Sequence, residues 1–187
     1  MEKREVSMPI RSLCVLFTSL LLLAAGAVQA DNKADIDAKV QDSLVKLRGH
    51  AAGSDELLGK AAGVLVFPDV VKMGFGVGGQ YGEGALLVGG KPVAYYSTSG
   101  GAYGLQLGAL YKSEVILFMT GEAVQGFRAA QEWAVGADGA VSMVKVGTGG
   151  GVDAASAGGP AVGFIFSNKG VVSGLTLEGS KFTRIAR

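Results

Sequence analysis

Few side chains in this chain could do chemistry, and they are scattered. The lysines Lys60, Lys72 and Lys91 flank a run of glycines that reads GKAAGVLVFPDVVKMGFGVGGQYGEGALLVGGK. Lysine beside glycine-rich backbone can hold a phosphate as a point charge, helped by exposed N–H groups. That makes Lys60, Lys72 and Lys91 candidates for an anionic head group, with Gly74, Gly76, Gly78, Gly79, Gly82 and Gly84 as the glycine-rich backbone. Lys112 is a fourth such cation, and each of the four equally fits a solvated surface. Gly74-Phe75-Gly76-Val77-Gly78-Gly79 also matches G-x-G-x-x-G. A dinucleotide site needs a helix straight after that motif and an acid about 20 positions on. Gln80-Tyr81-Gly82-Glu83-Gly84 cannot be a stable helix, and no acid lies between Glu83 and Glu114. Nucleotide binding is therefore not expected, and no P-loop is present.

Catalysis is poorly provided for. His50 is the single histidine, so a His-rich metal site is excluded. Ser97 and Ser99 have only His50 as a base, and at a distance. Glu83, Glu114, Glu122 and Glu132 could pair for acid–base work, but they fit solvent-facing positions as well. Asp69, after Pro68, fits turn chemistry. We expect no enzyme and no cofactor.

The first thirty residues read as a leader. Lys3, Arg4 and Arg11 precede the apolar run Leu13 to Ala25, and Val28-Gln29-Ala30 offers small residues around a cut after Ala30. This is the pattern of a secretory signal peptide. The apolar run is shorter than the ~20 residues a spanning helix needs. The single cysteine, Cys14, lies inside it and follows Arg11-Ser12-Leu13, so a lipid anchor there is not expected. The cleaved chain would hold no disulfide and no thiolate site. The expected location is periplasmic or secreted. Losing residues 1–30 removes three of 17 basic and two of 16 acidic residues, leaving 14 of each. A formally neutral chain is a poor candidate for nucleic acid, which demands many phosphate contacts.

The positioning elements follow from periodicity. Ile36, Val40, Leu44 and Leu47 make one apolar stripe over 31–49, with acids at the start and bases at the end. This predicts a helix that either packs on the domain or inserts its stripe into a membrane or partner. Gly49 reads as its stop. Ser54 reads as the cap of a short helix to about Ala62. From Gly63 onward the chain reads as strands: Val64 to Phe67, ended by Pro68, then segments separated by Gly89-Gly90-Lys91-Pro92, Asp138-Gly139 and Asn168-Lys169-Gly170. Phe75/Leu86, Leu105/Leu117 and Phe164/Val172 suggest repeated hairpins with glycine on one face. Thr120 to Trp133 predicts a second helix, and Gly147 to Gly151 a linker. Tyr81, Tyr95, Tyr96, Tyr103 and Tyr111 serve either an interfacial belt or cross-strand pairs. The fold class is α+β and β-rich: a compact antiparallel sheet or barrel of glycine-rich hairpins, with an N-terminal helix and one mid-domain helix. We divide the chain into 1–30 leader, 31–54 helix and linker, and 55–187 domain.

Four ordered blocks carry a resemblance to a known family. They are Lys60 to Gly84, Tyr103 to Met119, Ala123 to Phe127, and Lys169 to Ser180. Together they resemble the SYLF domain over about residues 55–185. The resemblance implies a non-enzymatic module that binds phosphoinositide-like phospholipid at a membrane surface, with actin binding in some members. It also fits a bacterial form with one domain behind a signal peptide. The region before the domain departs from the basic segment of eukaryotic members: Asp31 to Arg48 holds four acidic and four basic residues. A protein-interaction or structural role in the envelope is the alternative.

Overall fold

The computed structural model describes residues 32–147, 149–153, 156–172 and 175–187, with the side chains of 74–77 and 102–108 left aside. The leader and Cys14 lie outside the described residues. Residues 31–187 form one unit. Its elements are α1 (Lys33–His50), α2 (Ser54–Lys60), β1 (Gly63–Val88), β2 (Lys91–Phe118), α3 (Gly121–Ala129), β3 (Glu132–Ala134), β4 (Ser142–Met143), β5 (Ala161–Ser167), β6 (Gly170–Val171) and β7 (Lys181–Ile185). The expected β-rich α+β class is what the structure shows, as a curled, mainly antiparallel sheet.

The hairpins read separately from sequence are one long hairpin. β1 and β2 pair from Gly63↔Phe118 to Val88↔Lys91. The turn is Gly89-Gly90, with φ of +59° and +76°, the primed geometry that matches strand twist and that glycine adopts without strain. Pro68 does not end a strand as expected. It sits in a register shift between Phe67 and Val70, where a missing N–H is tolerated. β5 joins β2 at Ser113–Phe118, and β7 joins it at Tyr95–Ser99. Between them, residues 100–112 have β1 as their one strand partner among the described residues. Here the hairpin is a two-stranded ribbon.

Glycine makes the curl. β1 returns over itself, so that a Cβ on Gly84 would overlap the Val66 carbonyl oxygen, and one on Gly82 would lie 2.9 Å from the Asp69 carbonyl oxygen. Only glycine permits backbone this close.

Both faces of the sheet are covered, so its strands read as near-continuous apolar runs. Leu65, Phe67, Ile116 and Phe118 point to one face, where Val124 and Phe127 of α3, Trp133 and Phe182 pack. Val66, Val115 and Leu117 point to the other, against Ile36, Val40, Leu44 and Leu47 of α1. The helix itself is well specified. Asn32 accepts the Asp35 N–H at 3.0 Å as its cap, and Arg48 lies in the last turn. Other boundaries shift. α1 runs through Gly49. α2 is capped by Gly53, not Ser54. α3 stops at Ala129, and Trp133 is a strand residue. None of the described helices is long and apolar enough to cross a membrane.

Candidate phosphate-binding cavity

The clearest convergence of charge lies where α1 begins and β7 ends. Lys33, Tyr95, Gln131, Arg184 and Arg187 line a cavity of about 470 Å³. β2 brings Tyr95 there, and its pairing with β7 brings Arg184 opposite Tyr96. Lys33 Nζ sits 5.6 Å from the centroid of the Tyr95 ring, within cation–π range. The Tyr95 hydroxyl donates to Asp37 at 2.8 Å. Burial and that carboxylate push its pKa up to about 12, so it stays protonated and serves as fixed scaffolding. Arg187 is already paired with Glu83. Lys33 and Arg184 carry no ion pair among the described residues. They are the cations this cavity offers to an anion.

A second polar cluster lies in the interior. Lys112 Nζ is 2.7 Å from Glu114 Oε1, and the two side chains are 3% and 0% exposed. Thr98 Oγ1 is 3.5 Å from Glu114 Oε2. Burial raises the Glu114 pKa, and Lys112, Thr98 and Gln80 pull it back. Gln80 also donates to Ser180 at 3.0 Å, tying the ribbon to the turn that leads into β7. This cluster faces the apolar core and has no described opening to solvent.

A family model described as "Ysc84: Las17-binding protein actin regulator" matches residues 99–186. Residues 99–186 are thus similar to the Ysc84, or SYLF, domain. The match runs from the middle of β2 through β7, just under half the chain, and leaves out β1, the strand with which β2 pairs. SYLF domains are linked in general with lipid and actin binding. No curated protein matches the chain.

The residues singled out by sequence fall in different places. Lys60 is exposed at the end of α2 and bonded to Glu56 at 2.6 Å. Lys91 is exposed just after the hairpin turn. The ends of the hairpin meet, since a Cβ on Gly63 would be 3.5 Å from the Leu87 carbonyl oxygen, so Lys60 and Lys91 share one end of the sheet. Lys72 lies nine residues up β1 from Gly63, roughly 30 Å of extended chain, and is half-buried opposite Leu110. The three lysines do not form one cluster.

Three further expectations are corrected. Gly74, Gly76, Gly78, Gly79, Gly82 and Gly84 all lie within strand β1, whose extended backbone sends successive N–H groups to opposite edges, so no anion-cupping nest forms. The stripe Ile36, Val40, Leu44 and Leu47 is at most 6% exposed, buried against the sheet, and cannot insert into a membrane as it stands. Lys112 and Glu114, read as surface residues, form the buried pair.

Of the tyrosines, Tyr95 and Tyr96 are buried, while Tyr81 and Tyr111 are exposed. His50 packs 6.1 Å from the Phe166 ring, and no serine hydroxyl bonds to it among the described residues. Sequence reading passed over Lys33, Arg184 and Arg187. The signal was two arginines three residues apart at the end of the chain, and nothing local tied them to Lys33.

Proposed function

We propose that this chain is a non-enzymatic binding module of the cell envelope that attaches to anionic phospholipid at a membrane surface. The cavity lined by Lys33 and Arg184 carries this reading. Two cations without an ion pair among the described residues fit a phosphate monoester or diester. Export behind residues 1–30, to the periplasm or the medium, is part of the same proposal. The lipid binding linked with the SYLF family supports it. A phosphoinositide is one form such a head group could take, and any phosphate-bearing lipid satisfies the same chemistry.

Co-sedimentation with vesicles tests the reading. Anionic vesicles should bind at low salt, and less at high salt, because exposed charges are screened. A basic residue near an anionic surface contributes ~1 kcal/mol. Lys33→Ala with Arg184→Ala should therefore weaken binding on the order of 30-fold at low salt. Lys60→Ala with Lys91→Ala should do much less. Unchanged affinity in the first pair would sink the head-group assignment.

One observation favours a protein partner as a second reading. The ribbon formed by 73–81 and 99–111 contains no charged residue, and Met73 and Tyr111 are 61% and 65% exposed at its root. Its edges have backbone groups open to strand addition. The family's printed description, a Las17-binding actin regulator, likewise names protein partners. Capture of one partner without lipid, lost on placing Lys at Ala109, would favour it.

A further inference from the structure

A second cavity, of about 610 Å³, opens beside α3. That size lies within the ~300–1,000 Å³ of small-ligand sites. It belongs to a different layer from the Lys33/Arg184 cavity. Its Phe118, Phe127 and Trp133 sit in the core under α3, whereas Tyr95 of the cationic cavity sits in the core under α1. Thr120 starts α3 by accepting the Ala123 N–H at 3.1 Å. Glu122, Ala123, Gly126, Phe127 and Ala130 then face the cavity at helical spacing. Three of these are small, and a Cβ on Gly126 would meet nothing within 4 Å, so the space above the floor stays open. The aromatic floor is rigid. Phe127 packs on Phe118 and on Tyr96, both at 4.8 Å between ring centroids, and Trp133 stacks on Phe182 at 5.9 Å.

The charge around this cavity has one sign. Glu122 and Asp138 line it, and no Lys, Arg or His does. Glu122 lies in the first turn of α3, the end of a helix that suits a negative charge, and has no ion pair among the described residues. Asp138 accepts the Ala134 N–H at 2.7 Å through one of its oxygens. Lys181 is the cation in its field, and Lys181 already holds Glu132 at 2.9 Å. Two carboxylates over an apolar floor complement a molecule with an apolar body and a cationic head. We propose that this cavity binds a small hydrophobic ammonium compound, its hydrocarbon on the aromatic floor and its charge against Glu122 and Asp138. The floor supplies close packing and removes apolar surface from water. The carboxylates supply the choice among ligands, because they attract a cation, repel an anion and leave a neutral alcohol with the floor alone. The site does not depend on the Lys33/Arg184 cavity, and it takes the opposite charge.

Titration of the protein with butyl-, hexyl- and octylammonium, with octanol and with octanoate, each below its micelle concentration, tests this. Trp133 is the single tryptophan and lines the cavity, so its emission reports occupancy. Affinity should rise along the ammonium series, by up to about fourfold per methylene buried, the equivalent of ~0.8 kcal/mol. Octylammonium should bind more tightly than octanol, and octanoate least tightly. An exposed ion pair contributes at most ~1 kcal/mol, about fivefold. Glu122→Gln with Asp138→Asn should therefore cost octylammonium roughly tenfold and octanol nothing. The Asn amide oxygen can still accept the Ala134 N–H, so the fold is kept. Gly126→Phe should fill the cavity and block every ligand in the set. The space around a Cβ there is open, and glycine is a poor helix former, so this variant should fold. Lys33→Ala with Arg184→Ala should leave octylammonium binding unchanged. Equal affinity for octylammonium, octanol and octanoate would overturn the role given to the two carboxylates, and the proposal with it. Octylammonium binding that survives Gly126→Phe undiminished would place the ligand elsewhere. Unmoved Trp133 emission, with no heat of binding for any of the ammonium compounds, would remove the site.

Discussion

Single residues decide where this backbone can go. Gly84 lies against the Val66 carbonyl, and neither stretch of β1 can retreat without breaking its ladder with β2. Overpacking a core typically costs ~1–3 kcal/mol, and here the obstacle is backbone, so Gly84→Ala should reach or exceed the upper end in urea denaturation. Gly89→Ala, with open space around it, should cost only the strain of its positive φ. The buried Lys112–Glu114 pair gives a second test. Removing Lys112 alone strands a carboxylate in the core, which typically costs ~3–5 kcal/mol, whereas Lys112→Met with Glu114→Leu should be neutral or stabilising. The pH dependence follows from the raised Glu114 pKa. Between the unfolded value of about 4.3 and the higher native value, the native state holds the extra proton. Stability then falls as pH rises through that window, and is flat above it. The double variant should lose this slope, which denaturation at a series of pH values would show.

At the scale of elements, much was legible and one kind of information was not. The stripe at Ile36, Val40, Leu44 and Leu47 announced α1, and glycines beside apolar residues announced strands. The same stripe serves a helix on a sheet and a helix on a membrane, so periodicity could not choose between them. Packing chooses the sheet. Leu47→Ala should therefore cost ~2–5 kcal/mol, while Val45→Asp, at 63% exposure, should stay within about 0.5 kcal/mol. If vesicle binding needed the stripe, Leu47→Ala would weaken it beyond any loss of folded protein. We expect the folded fraction alone to set the binding. The long hairpin was illegible because its bend has no local signal: Gly82 and Gly84 meet residues 66–70, a dozen or more positions away. Lys112 and Glu114 read as surface residues for the same reason, since only Gln80 and Thr98 reveal their interior place. The cavity needed still longer range, from Lys33 to Arg184.

At the scale of the whole molecule, β2 is the strand on which the rest depends. It pairs with β1 along its length, with β5 at one end and with β7 at the other. The family match begins at residue 99, inside β2, and so contains neither β1 nor the first part of β2 around Tyr95. It also omits α1, whose apolar stripe covers one face of the sheet. A chain cut to 99–187 would expose Val115, Leu117, Val162 and Phe164 to water and leave the β2 edge without its partner. Fully burying one such side chain stabilises by ~1.5–3 kcal/mol, against a total stability of ~5–15 kcal/mol. Losing four covers would consume that margin. The 99–187 fragment should therefore show no cooperative thermal transition, while 31–187 melts as one unit. A cooperative melt of the fragment, with native-like strand signal in the far ultraviolet, would mean that β1 and α1 are additions to a self-sufficient core. Dispersed amide signals that return when a 31–98 fragment is added would instead support the long hairpin as the element that closes the fold.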